Sequence, residues 1–448
     1  MKWNDPHIRQ IGELLAKRDW FTLRQKLAAL PTPDLSDLLM AFPKPDRVLL
    51  FRLLPHSEAS EVFACLSKHD RDDLLLALTE EETRRLLAEL SPDDRTDILE
   101  EMPGEATQKL LNLLGEEDLK QTRTLLGYPP ESVGRLMTPR YVAVRPYWTV
   151  TKAFQHFREK APSSETISTI YVVDDNWKLL DALDLTVFVL ADPQQTVEEL
   201  MDNQYQVLSA FDDRERAVEL MRRYDLSVLP VVDSQGTLVG IVTFDDVIDV
   251  AEEEATEDFH KSAAISPLRE GYLQTGFFEI FRRRITWLIT LVFVNIFSGA
   301  AIAQFEDTIS AAIALVFFLP LIIDSSGNAG SQAATLVIRA LALKDIKLSD
   351  WSRLLIKDIG VSLLLGISMG LAVSVIGIVR GGPEVGLAVA LTMVCVVMVG
   401  STIGTLLPIL LSRLGIDPAT ASAPLITSLA DITGVIIYFS IASRILSI

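Results

Sequence analysis

Hydrophobic and polar positions change rhythm three times along the chain. From residue 7 to 127, Leu and Ala recur at helical spacing, interrupted by the polar turns LPTPDL, LPHSEA, LSKHDR, LTEEET, LSPDDR and MPGEAT, each followed by an acidic helix start. The turns return at intervals of roughly ten to twenty residues, the mark of short stacked helices of the repeat kind. Between Pro129 and Val250 the pattern becomes β-rich, with YVAVRP, TIYVVDD, SVLPVVD and LVGIVTFDDVIDV alternating with the helical stretches TVTKAFQHFREK and RERAVELMRRYD, an α/β reading. An acidic helical segment, AEEEATEDFHKSAA, then leads through a Gly-containing linker to FRRRITW. Five apolar runs close the chain, near 285–305, 310–340, 357–379, 385–411 and 422–446, each long enough to span a bilayer as a helix.

The β-rich region holds an internal duplication. MTPRYVAVRPYWTVTKAFQHF with TIYVVDDNWKLLDALDLTVFV overlays MDNQYQVLSAFDDRERAVELM with SVLPVVDSQGTLVGIVTFDDVID. The pair resembles tandem cystathionine-β-synthase (CBS) domains, and the second copy, with LPVVDSQGTLVGIVTFDDV, is the better match.

Composition sharpens the division. The 448 residues are 49% hydrophobic with a mean hydropathy of +0.29, high for a soluble protein. Net charge is −19, yet residues 285–448 carry 8 basic against 9 acidic side chains, so −18 of it precedes Ile285. An acidic soluble half joined to a membrane half excludes nucleic acid, whose phosphates it would repel, and suits a cation. Cys65 and Cys395 form no disulfide framework and are expected to be buried small apolar residues in a reducing cytoplasm. MKWNDPHIRQ has no apolar core of a cleavable signal peptide. Arg282, Arg283 and Arg284 before the first run, with Lys344, Lys347, Arg353 and Lys357 around the second connection, put these segments and the N-terminus in the cytoplasm. Five crossings then put the C-terminus outside. Trp287 and Tyr438, near span ends, fit interfacial anchors.

The chemistry sits in PLIIDSSGNAGSQAATLVIRAL, residues 320–341, where Asp324 interrupts an apolar run. A charge in hydrocarbon costs roughly 2.5–3.5 kcal/mol, so such a side chain faces a bundle interior or a watery path. Asp324, Asn328, Ser331 and Gln332 share the span, Gly327 and Gly330 permit close helix approach or a local break, and Pro320 loosens the helix one turn earlier. Asp431, followed by Thr433 and Gly434, is read as the other intramembrane carboxylate. Two carboxylates with amide and hydroxyl oxygens compose a hard-cation site. Neither a lone Cys395 nor any histidine in a span offers soft ligands. His7, His56, His69, His156 and His260 lie in the soluble part without metal-ligand spacing. HExxH, GxSxG and Walker A motifs are missing, so the chain does not read as an enzyme.

In this order the acidic helical region, CBS pair, acidic helix and five-run membrane region, with PLIIDSSGNAGSQ, ADITG and DDVIDVAEEEATEDFH, resemble the MgtE family of magnesium transporters and channels. The implied fold is multidomain: an all-α superhelical N domain (1–128), an α/β tandem CBS pair (129–250), a connecting plug helix (251–280) and a five-helix all-α transmembrane pore domain (281–448). The resemblance implies a homodimer in the cytoplasmic membrane passing Mg²⁺, with Co²⁺ or Mn²⁺ as leaking ions. It implies Asp431 as principal ligand, and the reading of the spans adds Asp324, Asn328, Gln332, Gly327, Gly330 and Thr433 to the path. It also implies closure by intracellular Mg²⁺ at Glu61, Asp93, Asp213, Glu215, Asp225, Asp246, Asp249, Glu254, Glu257 and Asp258. The competing expectation is a CBS-regulated transporter or exporter of another divalent cation, proton- or Na⁺-coupled.

Two departures from the family matter. A Ser-Leu-Arg-Asp-like nucleotide run is replaced by Asp184, Leu185, Thr186 and Val187, and the adenine-stacking aromatic by Thr169, so ATP binding is expected to be weak or absent although Thr243 and Asp246 keep the Thr-x-x-Asp spacing. Asp324 stands where many relatives carry a small residue and is expected to add negative charge to the ion path.

Overall fold

The computed structural model describes residues 6–102, 104–268, 272 and 275–447, and the chain divides into two compact units, Met1–Glu252 and Glu253–Ile448. The first unit opens with ten helices of eight to twelve residues, from Pro6–Lys17 to Glu116–Leu126. The polar turns seen in the sequence are their caps. Ser67, Thr79 and Ser91 each accept the backbone N–H three residues on, and Thr79 with Glu82 completes a capping box. Helices two apart pack together: Thr32–Met40 on His56–Ala64, His56–Ala64 on Glu80–Glu89, and Pro92–Glu101 on Glu116–Leu126. Their shared core runs from Ile8 to Ile98.

The duplicated region repeats one design. Each copy is a three-stranded sheet with a parallel and an antiparallel pair: β1 (Ala143–Val144), β2 (Thr169–Val173) and β3 (Leu179–Asp184), then β4 (Leu208–Ser209), β5 (Val228–Val232) and β6 (Leu238–Thr243). Even the irregularities match, with register shifts at Val172/Val173 and Val231/Val232. The run LVGIVTFDDVIDV is only half strand, because β6 stops at Thr243 and Phe244–Ser262 is one helix. Its acidic first turn, Asp245 and Asp246, favours a helix N-terminus over a strand. The linker glycine Gly271 lies outside the described residues.

In the second unit, four helical elements are, among the described residues, long and apolar enough to cross a membrane: Phe277–Ala303, Ala314–Ala342, Leu348–Arg413 and Ala423–Leu446. Trp351–Arg413 within the third is not one rod. Gly382 takes φ 86° and ψ 177°, open to glycine alone, and the halves fold back so that Gly366 meets Val394, Gly370 meets Ala390 and Gly377 meets Gly386. Ala314–Ala342 stays helical through Pro320, Gly327 and Gly330, so the glycines serve close approach and make no break. Tyr438 is no interfacial anchor: it is fully buried and donates to the Leu315 carbonyl at 2.8 Å. Both cysteines are exposed, correcting their expected burial. Cys65 sits just past a short helix's last turn, and Cys395 faces out from an apolar helix with room for lipid.

Candidate functional site

The membrane unit assembles a polar seam from two helices. On Ala314–Ala342, Asp324, Asn328 and Gln332 recur every four residues and form one exposed stripe. Asn328 Nδ2 donates to Asp324 Oδ2 at 2.9 Å. On Ala423–Leu446, Asp431 is half-buried within electrostatic reach of Asp324, and its Oδ1 is buried with no hydrogen-bond partner. An orphaned carboxylate oxygen is expensive to bury, and a cation is one way to satisfy it.

The other expected path residues have different places. A Cβ on Gly327 would strike Thr427, and one on Gly330 would lie 2.7 Å from the Gly400 carbonyl oxygen, so both glycines form helix contacts. Gly400 and Gly404 in turn abut the backbone of Ser326 and Gly330. The Thr433 hydroxyl donates back to the Leu429 and Ala430 carbonyls at 3.0 and 3.1 Å and is spent on its own helix. Asp358, absent from the sequence reading, is a further carboxylate in a membrane-length helix. It accepts from Ser401 at 2.7 Å, and its Oδ2 is buried without a partner. Its neighbour Lys357 made this stretch read as a polar flank.

In the first unit the acidic residues gather without forming a cage. Asp93 is 8% exposed and its Oδ1 has no partner. Burial and the nearby Asp94 charge push Asp93 upward, while burial and Asp93 do the same to Asp246. Asp246 also accepts from Thr243 Oγ1 at 2.6 Å. Glu165, which no motif flagged, joins them: burial and Asp93 push it up to about 7. Glu61, Asp94 and Asp249 surround Cys65, whose thiol is pushed up by desolvation and then by these carboxylates. Asp213 instead accepts the Glu215 backbone N–H at 2.9 Å, opening helix Glu215–Tyr224, and Asp225 closes it in a left-handed conformation.

In the second unit, Glu254, Glu257 and Asp258 share the half-buried face of helix Phe244–Ser262, and burial with the Asp417 charge pushes Asp258 up. Among the described residues no three His, Cys, Asp or Glu side chains stand close enough to hold a metal ion, so the ten expected regulatory carboxylates form separate groups. Asp93, with its orphaned oxygen, is the position whose chemistry fits a cation.

The comparisons accord with this geometry. The chain matches the sequence profiles of the MgtE divalent cation transporter over residues 319–441, of the MgtE intracellular N domain over 30–131, and of the CBS domain over 133–186 and 197–253. It is 40% identical to the magnesium transporter MgtE of Thermus thermophilus over 75% of this chain and 74% of that one. It is 35% identical to that of Bacillus subtilis over 72% of each. The cytosolic domain of the Mg²⁺ channel MgtE in complex with ATP superposes with a TM-score of 0.52 at 38% identity, covering 54% of this chain and 99% of that one. A relative of that identity in complex with ATP does not support the expectation of weak or absent ATP binding. Asp184 and Thr186 are paired with each other in a helix cap. The chain belongs to the MgtE family of magnesium transporters, which are multi-pass membrane proteins and not enzymes.

Proposed function

We propose that two copies of this chain form a Mg²⁺ pore in the cytoplasmic membrane, closed when Mg²⁺ rises on the side of the soluble unit. The observation that carries the reading is Asp431, whose Oδ1 is orphaned beside the exposed Asp324–Asn328–Gln332 stripe. Such a stripe is costly against lipid and is satisfied against a second copy or a water-filled path. Mg²⁺ gives up its water reluctantly, so carboxylate and amide oxygens would hold the hydrated ion. The domain limits at 128, 250 and 280, five crossings with the Gly382 fold-back as two of them, and an external C-terminus belong to the same reading.

The regulatory ion is assigned to Asp93 and Asp246, with Glu61 and Asp249 as further carboxylates, while Glu254, Glu257 and Asp258 form a separate group on the connecting helix. Mg²⁺ would neutralise their mutual repulsion there. Nucleotide binding by the CBS pair is part of the same proposal, supported by the ATP-bound relative. Mg²⁺ flux in proteoliposomes tests the proposal. Asp431→Ala is expected to abolish flux, Asp324→Gly to lower it or shift its pH dependence, and soluble-side Mg²⁺ to close wild type. Full Mg²⁺ flux in Asp431→Ala would sink the assignment.

A further inference from the structure

The last turns of helix Phe244–Ser262 carry a cation among their acids. Glu254, Glu257, Asp258 and Lys261 fall on one half-buried face. The Lys261 ammonium contacts two carboxylates at once, Glu257 Oε1 at 2.5 Å on its own helix and Asp417 Oδ2 at 2.6 Å, far along the chain. Asp417 also shapes its own loop, because its Oδ1 accepts the Ala419 N–H at 2.8 Å and fixes the turn Pro418–Thr420. Two residues, Ala421 and Ser422, separate that turn from helix Ala423–Leu446, which carries Asp431. One carboxylate is therefore shared between the connecting helix and the entrance of the pore helix.

Charge accounts for the arrangement. The Lys261 ammonium donates to both Asp417 and Glu257 and compensates their charges. Without Lys261, Asp417 would face Glu257 and Asp258 as three uncompensated carboxylates.

We propose that Lys261 is a tethered cation that latches the connecting helix to the loop opening the Asp431 helix, through Glu257 and Asp417, with no divalent ion bound. The pore consequence rests on the reading of Asp431 as the ion path. The latch gives the pore a resting bias toward closure, to which soluble-side Mg²⁺ adds.

Hydrogen–deuterium exchange of the full-length protein in nanodiscs with EDTA tests the latch without any transport. Lys261→Gln is expected to speed exchange across 253–262 about fivefold, the scale of a partly exposed ion pair. Asp417→Asn, which keeps an acceptor for Ala419, should do the same, Lys261→Arg should remain protected, and the Lys261→Gln/Asp417→Asn double variant should exchange no faster than the faster single. Unchanged exchange in Lys261→Gln, or a double variant showing the product of both effects, overturns the latch. In flux measurements at zero soluble-side Mg²⁺, Lys261→Gln is expected to conduct faster than wild type while added Mg²⁺ still closes it. Equal flux overturns the bias on the pore. A wild type that carries no Mg²⁺ would defeat the transport reading alone, because exchange still judges the latch.

Discussion

Asp246 shows how one side chain ties the charge of the first unit to its stability. Burial and neighbouring carboxylates raise Asp93, Asp246 and Glu165 above their unfolded values. The folded state therefore holds more protons than the unfolded chain once pH exceeds about 4, and stability falls as pH climbs toward about 8, where the repulsion is complete. Melting of the EDTA-treated protein in detergent is expected to drop over that window, and Asp246→Asn to raise the melting temperature at pH 8 by roughly 2–4 °C. A flat or rising profile would mean that these groups do not face one another. Mg²⁺ should recover more stability at high pH than at low, because it competes with protons for the same oxygens. Asp93 and Asp246 were legible in the sequence through their resemblance to the family. Glu165 was not, since only folding brings residue 165 beside residues 93, 94 and 245.

At the scale of an element, small residues decide which helices touch. A Cβ at Gly404 would collide with the Gly330 carbonyl, whereas Gly360 has nothing within 4 Å. Gly404→Ala is expected to cost about 1–3 kcal/mol through overpacking, while Gly360→Ala leaves thermal unfolding unchanged or slightly improved. Equal melting curves for the two would contradict the close packing of Ala314–Ala342 on the fold-back. Helix starts were readable because Ser and Thr caps act within three residues. The Gly382 reversal was readable because RGGPE separates two apolar runs. Burial of Tyr438 was hidden, since an aromatic near a span end has the same sequence signature whether it meets headgroups or a neighbouring helix's carbonyl.

The whole molecule joins two units of opposite character, one acidic and duplicated, the other apolar and threaded by a polar seam. That division was plain in the sequence, because charge asymmetry and hydrophobic run length are global properties that survive local misreading. The expectation of weak or absent ATP binding rested on the residues of one motif, and a relative in complex with ATP does not support it. ATP titrated into the full-length protein is expected to bind and to protect the CBS sheets from exchange. Absence of saturable binding would return weight to the substitutions at Thr169 and Asp184.

Cys65 turns the acidic neighbourhood into a built-in electrometer. Its thiol is exposed, and after desolvation the charges of Asp94, Glu61 and Asp249 suppress its thiolate. Alkylation proceeds through the thiolate, so its rate at this residue records the local potential. A cation settling among those carboxylates should speed labelling of Cys65 and leave that of Cys395 untouched. Peptide-resolved mass spectrometry then reads ion arrival in the native chain without introducing a single foreign probe.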